Sequence, residues 1–174
     1  MNGSIGVLPI GKVPETACSA VAAHVRSVLG LEAAVLAPLA EPDYAFDRNR
    51  MQYNAATILR TLEAMPVPGC TKIVAVLNVD LFVPVFTHVF GEAREGGPCA
   101  LVSLYRLGQD LHPERPPGPQ ILDRLLKVAL HEAAHLFDLV HCFDDQCLMH
   151  FSMDLEALDR LPLSFCPTCK ALLK

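Results

Sequence analysis

The sequence predicts an α/β (α+β) chain. The expected architecture is a mixed, twisted sheet of about 4–5 strands with two helices packed on it, a third and longer helix, and a small C-terminal subdomain. Three observations carry this. Short apolar segments alternate with helix-period segments through the first two thirds of the chain. The segment "PQILDRLLKVALHEAAHLF", from Pro119, keeps a helical period throughout. Four of the seven cysteines fall between residues 142 and 169.

Taken in order, "SIGVLPI" (4–10) reads as a first strand. "PETACSAVAAHVRSVLG" reads as a helix, with Pro14 at an early helical position and Gly30 as its stop. "LEAAVLAPL" reads as a second strand, and the polar stretch 41–50 as a surface loop. "QYNAATILRTLEAM" is a second helix ended by "PVPG". "TKIVAVLNVDLF" (71–82) is the strongest strand, because valines and an isoleucine crowd a short run between turn signals. "GEAREGG" (91–97) reads as a loop or hairpin tip, "PCALVSLYRL" (98–107) as another strand, and "HPERPPGPQ" (112–120) as a connector too rich in proline for helix.

The totals narrow the class. A chain of 174 residues with 52% hydrophobic content and mean hydropathy +0.33 can bury a sizeable single core. Net charge is -5 and no basic stripe appears, which counts against nucleic acid as a partner. The most apolar run, Ile73 to Phe90, is broken by Asn78, Asp80, Pro84 and His88, so no membrane span or membrane partner is expected. The N-terminus lacks a basic region followed by a long apolar one, which makes a cytoplasmic location the default. A monomer is the default state. In a reducing compartment, clustered cysteines are metal ligands more often than disulfides. The scattered Cys18, Cys70 and Cys99 read as small buried residues.

The helix from Pro119 carries the chemistry. At about 100° per residue, Leu122, Leu126, Ala129, Ala133 and Leu136 fall on one side. Gln120, Arg124, Lys127, His131 and His135 fall on the other. His131 and His135 are one turn apart on one face, so both imidazoles can reach one ion, and zinc suits neutral imidazole. Glu132 is about 100° around the helix, beside the metal rather than on it, where it can take a proton from a zinc-bound water. His141 could share that metal only if the chain leaves the helix near 137–139 and doubles back, since a continued helix would carry it about 15 Å along the axis. Glycine makes such a bend easily, but here Asp138 stands at the bend. Aspartate is among the non-glycine residues best tolerated in the left-handed region. Asp138 either orients a ligand histidine or is a solvated cap; both readings stay open.

Cys142, Cys147, Cys166 and Cys169 form two close pairs, C-x4-C and C-x2-C, separated by a segment long enough for a short helix, "SMDLEALDRLPL". That spacing predicts a closed, four-thiolate structural zinc, with redox-active thiols as the weaker reading. Such a zinc would hold the residue after His141 and so link the two metal sites mechanically.

The pattern HExxH-x-x-(Gly)-x-x-His-Cys, followed by x4-Cys-x-Met and a CxxC, resembles the archaemetzincins, a family of metzincin zinc peptidases; "FGEAREGG" and "ALVSLYRL" add to the likeness. The resemblance implies a metzincin-like fold forming one catalytic domain over 1–174. An N-terminal subdomain, 1–138, would include the active-site helix, and a C-terminal subdomain, 139–174, would hold the structural zinc. It implies two zincs per chain: a catalytic one on His131, His135 and His141, with Glu132 as general base, and a structural one on Cys142, Cys147, Cys166 and Cys169. It further implies that Met149 is the methionine of a Met-turn beneath the histidines, and that the strand near 100–106 or its neighbour forms the cleft edge. Two departures are visible. Asp138 replaces the motif glycine, and the 16-residue spacer from Met149 to Cys166 is one residue shorter than the family pattern. The function expected is therefore a zinc metallopeptidase acting on a peptide or protein substrate. The alternative is a zinc-stabilised peptide-binding protein with little or no turnover.

Overall fold

The computed structural model describes residues 3–65, 69–108 and 115–173, which form eight strands and five α-helices. The main sheet contains β1 (Ser4–Pro9), β2 (Glu32–Val35), β5 (Lys72–Leu77), β7 (Gly91–Ala93) and β8 (Cys99–Ser103), in the order β2-β1-β5-β8-β7. The first four in that order run parallel, and β7 closes one edge antiparallel to β8. This is the mixed five-stranded sheet expected.

Side-chain alternation sorts the two faces. Val74, Val76, Ala100 and Val102 point to one core, shared with α1 (Glu15–Leu29) and α3 (Pro119–His135). Ala75, Leu77, Cys99 and Leu101 point to the other, filled by Ile58, Leu59 and Leu62 of α2 (Ala55–Glu63). The central strands are buried on both faces, which is why they read as continuous apolar runs. α1 stops where Gly30 takes a left-handed φ of 67° and its N–H caps the carbonyl of Arg26.

Three expectations are corrected. The second helix begins at Ala55, not Gln52, because the Asn54 side chain caps it by accepting from the Thr57 N–H at 3.0 Å. Gln52–Asn54 is instead β4, the middle strand of a small second sheet with β3 (Phe46–Asp47) and β6 (Leu81–Phe82). The strand read as 71–82 is broken after Leu77, where Asp80 turns aside to pair with Arg106 and Gln52. Part of the stretch read as a loop, Gly91–Ala93, is the edge strand β7. The "PVP" of the helix stop, residues 112–114 of the proline connector and the first two residues lie outside the described residues.

Beyond α3 the chain has no further strand among the described residues, only two short helices, α4 (Leu155–Arg160) and α5 (Pro167–Leu172). They pack on the α1–α3 core through Leu158, Phe165, Cys169 and Leu173. No described helix is long and apolar enough to cross a membrane.

Candidate active site

α3 brings His131 and His135 to one face, and the chain then reverses. The helix ends at His135, and Leu136 to Asp138 form a turn. Asp138 sits there exposed, with φ 64°, the left-handed conformation that lets the chain double back. The carbonyl of His135 accepts from the N–H groups of Gly96 (2.8 Å) and Asp138 (3.2 Å), so the frayed helix end is satisfied. The reversal carries His141 back onto the pair: its ring centroid lies 5.2 Å from His131 and 4.9 Å from His135.

The three histidines each present a ring nitrogen to a common point, all within 4.8 Å of one another. Nδ1 of His131 faces the carbonyl of Leu148 at 2.9 Å, and Nδ1 of His135 faces that of Leu139 at 2.6 Å. A carbonyl only accepts, so both imidazoles carry their proton on Nδ1. Each Nε2 is left with a lone pair, and the two Nε2 atoms face each other at 3.1 Å. Facing lone pairs repel; a shared cation turns that repulsion into coordination. Tetrahedral Zn–N bonds of about 2.0–2.1 Å separate two nitrogens by about 3.3 Å, so the donor set fits zinc. Burial pushes the pKa of His131 down to about 3 and lowers those of His135 and His141, which keeps the imidazoles neutral as ligands must be. The rings of His131 and His135 are held by backbone carbonyls.

Glu132 faces the edge strand. A Cβ built on Gly91 would lie 2.6 Å from Glu132 Cγ and 2.8 Å from Oε1. Burial raises the carboxyl pKa of Glu132 well above its usual range, and the negative charge of Glu92 adds to this.

The cysteines form a second donor set, their sulfurs all within 4.8 Å of one another. Cys142 and Cys166 Sγ are 3.9 Å apart, against about 3.8 Å for tetrahedral Zn–S bonds of about 2.3 Å. The Cys166 thiol is pulled down to about 7, mainly by the N–H of Cys169. This set is tied into the first. The Cys142 N–H donates to the Met149 carbonyl at 2.8 Å, and Cys147 precedes Leu148, whose carbonyl holds His131. Met149 is fully buried in the core with Ala133 and Ala134. Cys18 and Cys99 are buried away from both sets, each thiol raised to about 11 by burial.

A cavity of about 280 Å³ opens at the histidines. Its walls include residues with no local sequence signal: Phe86, His88, Glu92, Glu95 and Phe151. The Phe151 ring contacts both His141 (5.1 Å) and Phe86 (6.0 Å), an apolar rim over the exposed third histidine. These residues come from separate segments that only the fold brings together.

A hydrolytic cleft lined by a neutral three-histidine donor set and a neighbouring carboxylate is the architecture of a zinc metallopeptidase. Comparison with known proteins gives the family. The family model for peptidase family M54 matches residues 20–174. The archaemetzincin of Pyrococcus furiosus is 32% identical over 181 residues, covering 97% of this chain and 91% of that protein. The crystal structure of the Methanopyrus kandleri archaemetzincin superposes with a TM-score of 0.84 at 33% identity, over 98% of this chain and 92% of that one. The Archaeoglobus fulgidus archaemetzincin, solved with malonate, gives 0.83 at 28% identity, over 97% and 99%. The chain belongs to peptidase family M54, the archaemetzincins.

Proposed function

We propose that the protein hydrolyses peptide bonds at the His131, His135 and His141 site, with Glu132 as general base. The observation that carries this is the pair of Nε2 lone pairs facing each other at 3.1 Å in a cavity that the half-buried Glu132 also lines. His131, His135 and His141 would hold a zinc ion, which would supply Lewis acidity toward water and a carbonyl oxygen. Glu132 accepts the proton of the attacking water on its carboxylate and passes it to the departing amine nitrogen. β7 pairs with β8 on one side, and an extended peptide can add along its other edge, which sets the scissile bond across α3.

Cys142, Cys147, Cys166 and Cys169 hold a second, structural zinc, and Met149 supports the histidines from the core. The chain works as one catalytic unit, divided at about Asp138 into the sheet-bearing part and the thiolate-clamped part. The left-handed conformation of Asp138 supports turnover over a bare binding role, because the aspartate makes the bend that the motif glycine serves.

The test is zinc per chain before and after mild chelation. Two zincs, one released readily and one retained, support an open histidine site beside a closed thiolate site. A single tightly held zinc would overturn the catalytic assignment.

A further inference from the structure

The face of α3 that carries His131 continues away from the donor set through Lys127 and Arg124. Read as the polar side of an amphipathic helix, these two should lie in solvent. Instead Arg124 is 9% exposed and Lys127 5%. Buried cations are rare unless paired, and here both reach the short helix α4, each with one further partner outside it. Arg124 donates from Nε and Nη2 to the two oxygens of Asp159, at 2.7 and 2.6 Å, and from Nη1 to the Leu107 carbonyl at 2.7 Å. Lys127 Nζ lies 2.7 Å from Asp123 Oδ2 and donates to the carbonyls of Leu158 and Asp159, at 3.3 and 3.4 Å.

A six-residue helix does not hold itself in place. α4 nevertheless supplies a wall of the catalytic cavity, which Leu158 and Leu161 line together with Val128, Lys127 and His131. The bidentate Arg124–Asp159 pair fixes both the distance and the rotation of that wall, as a planar fork does. Lys127 has three acceptors for its three protons, so it offers no free charge to a ligand. Selection at the stretch of cavity wall formed by Val128 and the two leucines therefore rests on shape and apolarity.

We propose that Arg124 and Lys127 are positioning residues for specificity. They hold α4 so that Leu158 and Leu161, across from Val128, accept one apolar substrate side chain beside His131. This rests on the reading that a peptide occupies the cleft, but not on its being cut.

The experiment measures peptide binding to zinc-loaded E132Q protein by fluorescence anisotropy, with each position of a parent peptide carried in turn as Leu, Ala or Glu. One position should favour Leu over both Ala and Glu by about tenfold or more, the range a hydrophobic pocket gives. In R124A and in D159N, which keeps side-chain volume, that preference should fall to within about twofold, with the other positions unchanged. R124K should restore part of it. Co²⁺ spectra of the histidine site should be the same in all variants, since the ligands are untouched. The proposal is overturned if no peptide binds, if Glu is preferred, if every peptide weakens by one common factor, or if the Leu preference survives in both variants. Cleavage of the same peptides by protein with Glu132 intact tests the catalytic reading separately: binding with selectivity but no cutting would sink that reading and leave this one standing.

Discussion

The Glu132 carboxylate rests on the backbone of Gly91, with Oε1 placed 2.8 Å from where a methyl group at that position would stand. The same methyl would lie 2.8 Å from the Leu101 carbonyl oxygen, so the edge strand cannot simply move back toward its neighbour. Glycine is required here by close approach rather than by φ. It joins the proposed base to the strand along which the peptide is proposed to lie.

Gly91→Ala should therefore cost about 1–3 kcal/mol of stability, the usual range for overpacking. It should reduce turnover far more than it reduces zinc content, because the clash falls on Glu132 and not on a histidine. Thermal unfolding, zinc analysis and peptide cleavage on one preparation check this. Normal turnover in a normally stable variant would show that Gly91 is not needed for Glu132 placement.

Asp138 makes the turn with φ 64°, and its carboxylate packs against Gly96. Asp138→Gly relieves a left-handed aspartate but adds freedom to the unfolded chain, so stability should change by less than about 1 kcal/mol. Metal affinity and turnover should stay within about twofold. Asp138→Val should lose about 1–2 kcal/mol, because a branched side chain resists φ near 64°. A large gain in turnover from Asp138→Gly would instead mean that the aspartate restrains the site.

Much of this site is readable in one segment, because a helix puts residues four apart on one face whatever surrounds it. His131, Glu132, His135 and the need for a bend before His141 follow from that rule, as does the tolerance of aspartate in the bend. Apart from the edge strand near 100–106 or its neighbour, which the family resemblance implied, the cleft walls were not readable. Gly91–Ala93 is three residues, opening on glycine and followed by the charged Arg94, too short to show a strand period, and its pairing with β8 is a tertiary fact. Arg124 and Lys127 mark the other limit: periodicity separates polar from apolar sides, but says nothing of a later helix that folds back over the polar side. The small sheet β3-β4-β6 escaped for the same reason, its strands being two or three residues long.

The thiolate set should act on the histidine set through the chain between them. Cys142 follows His141, and Cys147 precedes the carbonyl that holds His131. Cys169→Ser, which alters no residue beside a histidine ligand, should abolish the retained zinc and weaken the histidine site for Co²⁺ by about tenfold, within the usual range of coupling between sites. Equal Co²⁺ affinity in wild type and variant would show the two sites to be independent.

The Arg124–Asp159 pair predicts a pH dependence of folding. Hydrogen bonds from Arg124 hold the Asp159 carboxyl below its usual range. A carboxylate whose folded pKa is depressed stabilises the protein above the unfolded value of about 3.9, and that contribution is lost as pH falls through the folded value. Between pH 6 and pH 3 the melting temperature of wild type should therefore fall more steeply than that of Asp159→Asn. Parallel curves would remove the pair from the stability account.

Glu132 is proposed to move the proton in the reaction at the histidine site. The most direct test is the cleavage rate of a peptide library by zinc-loaded wild type and Glu132→Ala, with zinc content measured on the same samples. The variant should keep its zinc and lose about 10²–10⁴-fold in rate. Cleavage at the wild-type rate by the zinc-loaded variant would contradict that role.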